Sequence, residues 1–130
     1  MSEERVDRWL ESFAGTARER DLAGHMAHIA RDVRVLGVPG FESLGYDDWY
    51  RQCAQEFPQG LITDLQYSEP RVRASTPEQV MFFTEEKIST SEGNSLSHML
   101  EMVLIERDEL LLLRQLRILS DDEAKHYGLR

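Results

Sequence analysis

The C-terminal half of the chain has an alternating pattern that predicts a meander of antiparallel strands. Three strand-like runs, Gln79–Thr90, Ser95–Glu106 and Leu110–Ser120, are separated by short polar turns. In each run, apolar side chains occupy both alternating faces, so both faces of the predicted sheet must be covered. The preceding stretch, Leu61–Ser75, predicts a long first strand with a bend near Pro70, because proline cannot donate a hydrogen bond to a central ladder.

The N-terminal half is helical in its periodicity. After an N-cap at Ser2, apolar residues recur at helical spacing and predict the first helix. These residues are Val6, Trp9, Leu10, Phe13 and Ala17. Asp21 predicts the start of a second helix that carries Leu22, Met26 and Ile29 and ends at Asp32, before a short strand at Val33–Leu36.

Two further helices are predicted around the sheet. A loop rich in glycine and proline ends at Gly45, and Tyr46–Phe57 then predicts a third helix with Trp49, Tyr50, Cys53 and Phe57 on one side. Ser120–Glu123 has the spacing of a capping box, which predicts a short C-terminal helix that stops at Gly128. The predicted fold class is therefore α+β, with the helices grouped before the sheet.

Composition predicts one folded cytoplasmic domain. The chain has 130 residues, of which 41% are hydrophobic and 30% charged, and none of its apolar runs nears the ~20 residues of a membrane span. Met1–Arg5 lacks the pattern of a secretory signal, and the single cysteine, Cys53, favours a reducing compartment. The formal net charge of -9 excludes nucleic acid as the expected partner, because phosphate binding requires a basic surface.

Strand pairing assigns side chains to faces if both hairpin turns hold an even number of residues. The face predicted to be concave then carries Val80, Phe82, Thr84, Glu86, Ile88, Met99, Glu101, Val103, Ile105, Leu110, Leu112, Arg114, Leu116 and Ile118. The face predicted to be convex carries Met81, Phe83, Glu85, Lys87, His98, Leu100, Met102, Leu104, Leu111, Leu113, Gln115 and Arg117. On the concave face, Glu101 is expected to pair with Arg114 across the strands.

This order of elements resembles the nuclear-transport-factor-2-like superfamily, in particular its SnoaL-like and ketosteroid-isomerase-like branch. The resemblance is carried by the run Arg31–Val35 after helix two, the loop Gly40–Gly45, the final strand at Leu116–Leu119 and the element order itself. It implies one SnoaL-like domain over residues 1–130, in which a strongly curved antiparallel sheet forms a cone around three main helices, with a short C-terminal helix. It also implies a pocket under the first helix and a homodimer that packs through the convex sheet face.

The resemblance leaves two functions open. Ketosteroid-isomerase-like enzymes carry an acidic base at the end of the first short strand and a tyrosine on helix one, whereas this chain has Leu36–Pro39 there, and Trp9 and Phe13 on the helix. The missing groups favour a non-catalytic protein whose hydrophobic pocket binds a small organic ligand, an anionic one included. The alternative is an isomerase, dehydratase or cyclase that uses Glu101 or Glu86 for acid–base chemistry and Arg114 to stabilise charge.

The candidate site combines this charge pair with the predicted pocket wall. Glu101 and Arg114 are the candidate catalytic residues, and a structural ion pair that closes the cavity is the alternative reading. The expected ligand-binding residues are Trp9, Phe13, Trp49, Cys53, Phe82, Thr84, Glu86, Met99, Val103 and Leu116. No cofactor or metal is expected, since His25 and His28 supply too few ligands and read as solvated helix residues. His98 is predicted to point to the convex face, with a surface or dimer role.

Overall fold

The computed structural model describes residues 1–130, and it contains four helices and six strands. The helices are α1 (Glu3–Arg18), α2 (Leu22–Met26), α3 (Tyr46–Gln59) and α4 (Asp121–His126). The strands are β1 (Ile29–Leu36), β2 (Ile62–Tyr67), β3 (Arg71–Ser75), β4 (Gln79–Thr90), β5 (Ser95–Arg107) and β6 (Leu110–Ile118). The strands form one curved, unclosed sheet in the order β1-β6-β5-β4-β2, and β3 also pairs with β4.

Helix α1 forms as its pattern predicts. The Ser2 hydroxyl accepts a hydrogen bond from the Arg5 backbone amide at 3.2 Å, and Glu3 and Glu4 lie in the first turn, where the helix dipole favours negative charge. The predicted apolar stripe is buried along the whole helix. This stripe covers the interior of the curved sheet and anchors the helix there.

The second helix is much shorter than predicted. It ends at Met26, and Ile29 begins β1 instead of continuing the helix. Strand β1 runs parallel to β6, and the Leu113 amide donates to the His28 carbonyl oxygen at 2.8 Å at its start. The fold therefore has two main helices, α1 and α3, because sheet pairing outweighs the helical periodicity of this short segment.

Helix α3 follows its prediction and extends slightly further. Asp48 accepts a hydrogen bond from the Gly45 amide at 2.9 Å at the start of the helix, and Gly60 ends it in the left-handed conformation, with φ of 63°. Cys53 and Phe57 are buried as predicted, whereas Tyr50 is 47% exposed and does not join their side. The buried side of α3 packs against α1 and β2.

The predicted first long strand is divided in two. Strands β2 and β3 pair with successive parts of β4, and the chain leaves the sheet between them, at Ser68–Pro70. The bend near Pro70 is confirmed as a complete break. The sheet is also wider than a four-stranded meander, because β1 joins it by parallel pairing with β6.

The register of β5 is the reverse of the prediction. Ser89 pairs with Ser95, so the turn holds an odd number of residues and turns every side chain of β5 over. Four residues predicted to be convex lie on the concave face: His98, Leu100, Met102 and Leu104. Four predicted to be concave, Met99, Glu101, Val103 and Ile105, lie on the convex face.

A β-bulge changes the register of β6 once more. The Asp108–Glu109 turn is even, as predicted, but Arg114 has no partner on β5 between the pairs Leu113–Leu104 and Gln115–Val103. Before the bulge, Leu110 and Leu112 therefore lie on the convex face, and Leu111 and Leu113 lie on the concave face. Both assignments are the reverse of the prediction. After it, the predictions for Leu116, Ile118, Gln115 and Arg117 are correct.

The interior of the cone is a packed core. Its side chains come from α1 and from the concave face of β4, β5 and β6. The largest of those with under 2% exposure are Phe13, Phe82, Leu100, Met102, Leu104 and Leu113. On the convex side, α4 covers a smaller cluster that contains Phe83, Met99, Leu119 and Ala124. The middle of the cone therefore has no room for a ligand.

Candidate functional site

Three polar side chains meet at one end of the concave face, and we call them the mouth cluster: Tyr67, Glu86 and His98. They belong to three neighbouring strands, since Tyr67 of β2 pairs with Glu86 of β4, and Glu86 pairs with His98 of β5. All three are half-buried. Cross-strand pairing fixes their backbones side by side, so the side chains share one patch of the concave face.

The hydrogen bonds of the mouth cluster leave two groups free. The Tyr67 hydroxyl donates to Oε2 of Glu86 at 2.9 Å. Oε1 of Glu86 and both ring nitrogens of His98 have no hydrogen-bond partner in the protein. These atoms are therefore available to a molecule that enters the mouth.

Burial sets the protonation behaviour of the cluster. It raises the pKa of Glu86, although the Tyr67 hydrogen bond and the nearby His98 act in the opposite direction. It also raises the pKa of Tyr67 well above its usual value, with the Glu86 charge as a further cause. Glu86 thus holds a proton more readily than an exposed glutamate, and Tyr67 remains a hydrogen-bond donor at neutral pH.

Half-buried apolar side chains pack against the core around this end of the cone, and we call them the apolar rim: Val38, Leu44, Tyr46, Trp49 and Ile118. Gly37 joins Val38 to the end of β1, and a Cβ at Gly37 would meet the Ile118 carbonyl oxygen at 2.3 Å. This close approach of β1 to β6 needs glycine and brings Val38 beside Ile118. The mouth cluster therefore has an apolar surround.

An aromatic group links the rim to the mouth cluster. The Phe13 ring lies 6.2 Å from the Tyr67 ring and 6.1 Å from the Trp49 ring, measured between centroids. It stacks on the His25 imidazole at 4.4 Å. Helices α1, α2 and α3 and strand β2 each contribute one of these rings, so their packing positions both sides of the mouth.

His25 holds Trp49 in place and has a defined tautomer. Thr16 donates its hydroxyl proton to the Phe13 carbonyl oxygen at 2.6 Å, so Nδ1 of His25 must donate to the Thr16 oxygen, 3.0 Å away. Nε2 of His25 accepts from the Trp49 indole nitrogen at 3.1 Å, and an indole can only donate. The imidazole is therefore neutral, with its proton on Nδ1.

The environment of His25 matches this neutral state. Burial, together with the nearby His28, lowers the pKa of His25 from 6.5 to about 4. The prediction that His25 and His28 are solvated is wrong: His25 is buried, and His28 is half-buried between Ser12 and the Gly24 carbonyl oxygen. The structure has no group of three or more side chains that could hold a metal ion.

The predicted pair of Glu101 and Arg114 does not form. Glu101 lies on the convex face and pairs with Arg117, at 3.3 Å and 3.2 Å, because of the reversed register of β5. Arg117 also contacts Glu123 of α4. The pair therefore fastens the C-terminal helix to the sheet, on the side opposite to the mouth.

Arg114 has a structural partner as well. It leaves β6 at the bulge and lies 3.2 Å from Asp32 of β1. Asp32 also accepts two hydrogen bonds from Arg107, at 2.8 Å and 3.0 Å, and these lower its pKa to about 2. This network connects β1, β5 and β6 at an exposed edge and cannot stabilise charge inside the cone.

The expected ligand-binding residues divide into three groups. Trp49 and Glu86 are at the mouth. Met99 and Val103 are on the convex face, for the same register reason as Glu101. The others are part of the buried interior: Trp9, Phe13, Cys53, Phe82, Thr84 and Leu116. The Cys53 thiol is unreactive, because burial raises its pKa to about 12.

Two residues of the mouth cluster, Tyr67 and His98, are absent from the site predicted from the sequence. Tyr67 belonged to a strand whose register was not assigned, although Leu65 and Tyr67 alternate correctly for one face. His98 was placed on the wrong face by the even-turn assumption. A turn with an odd number of residues puts His98 opposite Glu86. Gly93 lies within this turn at φ of 83°, and a glycine at this position is the feature of the sequence that indicates such a turn.

A separate cleft of about 470 Å³ lies on the other side of the sheet. It opens where the chain breaks between β2 and β3, and it extends to the C-terminal segment. Its lining comprises Ser68, Glu69, Pro70, Arg71, Phe83, Thr84, Glu85, Met99 and Leu129. The cleft is open and mostly polar, and it has no buried polar atom without a partner. None of the three mouth-cluster residues lines this cleft.

The comparisons with solved structures define the fold class. The chain matches an NTF-2-like protein of unknown function from Shewanella oneidensis with a TM-score of 0.76 and 10% identity, over 91% of this chain and 98% of that one. A "Putative Scytalone Dehydratase" from Novosphingobium aromaticivorans matches with a TM-score of 0.71 and 9% identity, over 87% and 79%. A cystatin-like protein of unknown function from Nostoc punctiforme matches at 0.67 and 12%, over 87% and 86%. The predicted fold is confirmed as nuclear-transport-factor-2-like.

The sequence itself narrows this class to a family. The model of the SnoaL-like domain matches residues 6–110, and the chain belongs to that family. No curated protein sequence matches the chain significantly. None of the four helices has the length and continuous apolarity that a bilayer crossing demands.

Proposed function

We propose that the mouth of the cone binds a small organic molecule with an apolar body and one polar group. The observation that carries the proposal is the free Oε1 of Glu86 beside the free imidazole of His98, both half-buried on an apolar face. Both groups reach solvent, because no buried side-chain polar atom in the structure lacks a partner, and a ligand can therefore replace the water that they bind. A ligand that uses these atoms and covers the apolar rim would explain why they are there.

Replacing Glu86 provides the test. Glu86→Leu is combined with Tyr67→Phe, so that the Tyr67 hydroxyl does not lose its acceptor. This double variant is expected to raise the melting temperature by a few degrees, because apolar side chains are less costly than a half-buried carboxyl group on this face. The same change should weaken binding of small aromatic probes about tenfold or more, through loss of the hydrogen bond to the ligand. Thermal unfolding and isothermal titration calorimetry measure the two effects.

Glu101→Leu is the matched control on the convex face. It breaks the ion pair with Arg117 and should leave probe binding unchanged. If the double variant has lower stability and keeps the affinity for every probe that the native protein binds, Glu86 is a structural residue and the proposed site is wrong.

A second candidate function is acid–base catalysis by Glu86 and His98. Glu86 and His98 pair across neighbouring strands, and each has a free atom. One of them can therefore accept a proton from a substrate while the other donates a proton to it. The "Putative Scytalone Dehydratase" among the structural neighbours makes dehydration a reasonable reaction to assay. Turnover that disappears in both Glu86→Gln and His98→Gln, with probe binding retained, would establish this function over simple binding.

We also propose that a second copy of the chain covers the convex face. Helix α4 covers only one end of that face, where Phe83 and Met99 lie. The remaining part carries the half-buried Met81, Ile105 and Leu112, and the neighbouring Leu110 is 61% exposed. An apolar sheet surface of this kind is a typical association site.

The mass in solution tests this dimer. Light scattering of the native protein is expected to give the mass of two chains, and Ile105→Asp should give the mass of one with the fold intact. Met102 and Leu104, on the predicted convex face, are unsuitable for this test because they lie in the core. A native protein with the mass of a single chain would refute the proposed dimer.

A further inference from the structure

We propose that the ligand of the mouth is an organic cation, a protonated amine or ammonium group on an apolar body, whose charge is paired with Glu86. This inference rests on the proposed binding function and specifies its ligand. It starts from an imbalance of charge on the concave face. The face offers a carboxyl group with a free oxygen, and no arginine or lysine contacts that group.

Each lysine or arginine near this part of the sheet contacts a partner other than Glu86. Lys87 follows Glu86 on β4 but points to the convex face, where it lies 3.6 Å from Glu85. Arg117 pairs with Glu101 on the convex face, and Arg114 with Asp32 at the sheet edge. At the rim, the exposed Arg31 is stacked 4.6 Å from the centroid of the Tyr46 ring.

His98 is the one other ionisable side chain that influences Glu86 besides Tyr67. Tyr67 donates its proton to Oε2 and keeps this oxygen occupied, so a ligand meets Oε1. No hydrogen bond joins His98 to Glu86, so the imidazole does not block this oxygen. The position on Oε1 is therefore open to a donor from outside the chain.

Oε1 of Glu86 favours a positively charged ligand most. A half-buried carboxylate gains more from a paired positive charge than from a neutral donor, because charge-assisted hydrogen bonds are about twice as strong. An anionic ligand would meet repulsion from Glu86 and find no arginine or lysine in the mouth, where His98 is the one basic side chain.

Three probes of the same shape separate these possibilities. They are 3-phenylpropylammonium, 3-phenylpropanol and 3-phenylpropanoate, titrated into the native protein at pH 8 by calorimetry, where an alkylamine is protonated. We expect the ammonium probe to bind about tenfold tighter than the alcohol, and the carboxylate to bind weakest. In Glu86→Gln, which keeps the shape of the side chain, the ammonium probe should lose its advantage.

The outcomes distinguish this inference from the function on which it rests. If the alcohol or the carboxylate binds as tightly as the ammonium probe, the inference is wrong and the mouth remains a binding site for neutral or anionic molecules. If none of the three binds, both proposals fail for ligands of this size. Glu101→Gln is the matched control, because it removes a carboxylate from the convex face and should preserve the preference for the cation. Loss of the preference in that variant as well would assign it to the net charge of the protein and contradict the pairing with Glu86.

Discussion

Leu104→Asp is expected to unfold the protein, whereas Ile105→Asp is expected to leave it folded. Leu104 is 0% exposed and lies in the core of the cone, where a carboxylate has neither water nor a basic partner. The cost of burying such a charge is of the same order as the total stability of a small domain, about 5–15 kcal/mol. Ile105, one residue further, is half-buried on the convex face. Circular dichroism and urea unfolding measure the difference.

Two alanine substitutions test the register of β5 with a smaller change in each side chain. Leu104→Ala should lower the free energy of unfolding by about 2–5 kcal/mol, and Ile105→Ala by clearly less. The reverse order of the two effects would mean that β5 has the register that an even turn predicts. It would also return Glu101 to the concave face and remove His98 from the mouth.

Acidification is expected to lower the stability through His25. The pKa of His25 is about 4 in the folded protein and 6.5 when unperturbed, so the unfolded chain binds the proton first. The stability contribution is complete above about pH 6.5, declines as the pH falls, and is lost near pH 4. A difference of this size corresponds to about 3 kcal/mol. Urea unfolding at a series of pH values measures it.

His25→Gln isolates this contribution from other groups. Glutamine can still accept from Trp49 and donate to Thr16, but it does not titrate. Glu86 acts in the opposite sense, because its raised pKa favours the folded state as the pH falls. Between pH 6.5 and 4, the stability of His25→Gln should therefore decline much less. An equal decline in both proteins would place the pH dependence elsewhere.

Local signals in the sequence predicted most of the elements. The caps at Ser2 and Ser120 and the apolar stripe of α1 depend on neighbouring residues alone, and they appear as predicted. The bounds of β4 match the predicted run Gln79–Thr90, because turn residues flank it on both sides. Strand β1 was underestimated, since its parallel partner β6 lies more than 70 residues away and leaves no local pattern.

The candidate site was predicted less well than the fold, for a specific physical reason. Side chains in a strand alternate, so one residue more or less in a turn exchanges the two faces. The odd turn before Ser95 moved Glu101 out of the cone and His98 into it, and the bulge at Arg114 changed the register again. Glu86 was assigned correctly because β4 precedes both irregularities.

An NMR titration tests directly whether a ligand binds at the mouth of the cone. The backbone amide signals of the native protein are followed while 3-phenylpropylammonium is added. The largest shifts are expected at Tyr67, Glu86 and His98, together with the Trp49 indole signal. Shifts confined to Phe83, Met99 and Leu129, which line the cleft on the opposite side of the sheet, would contradict binding at the mouth.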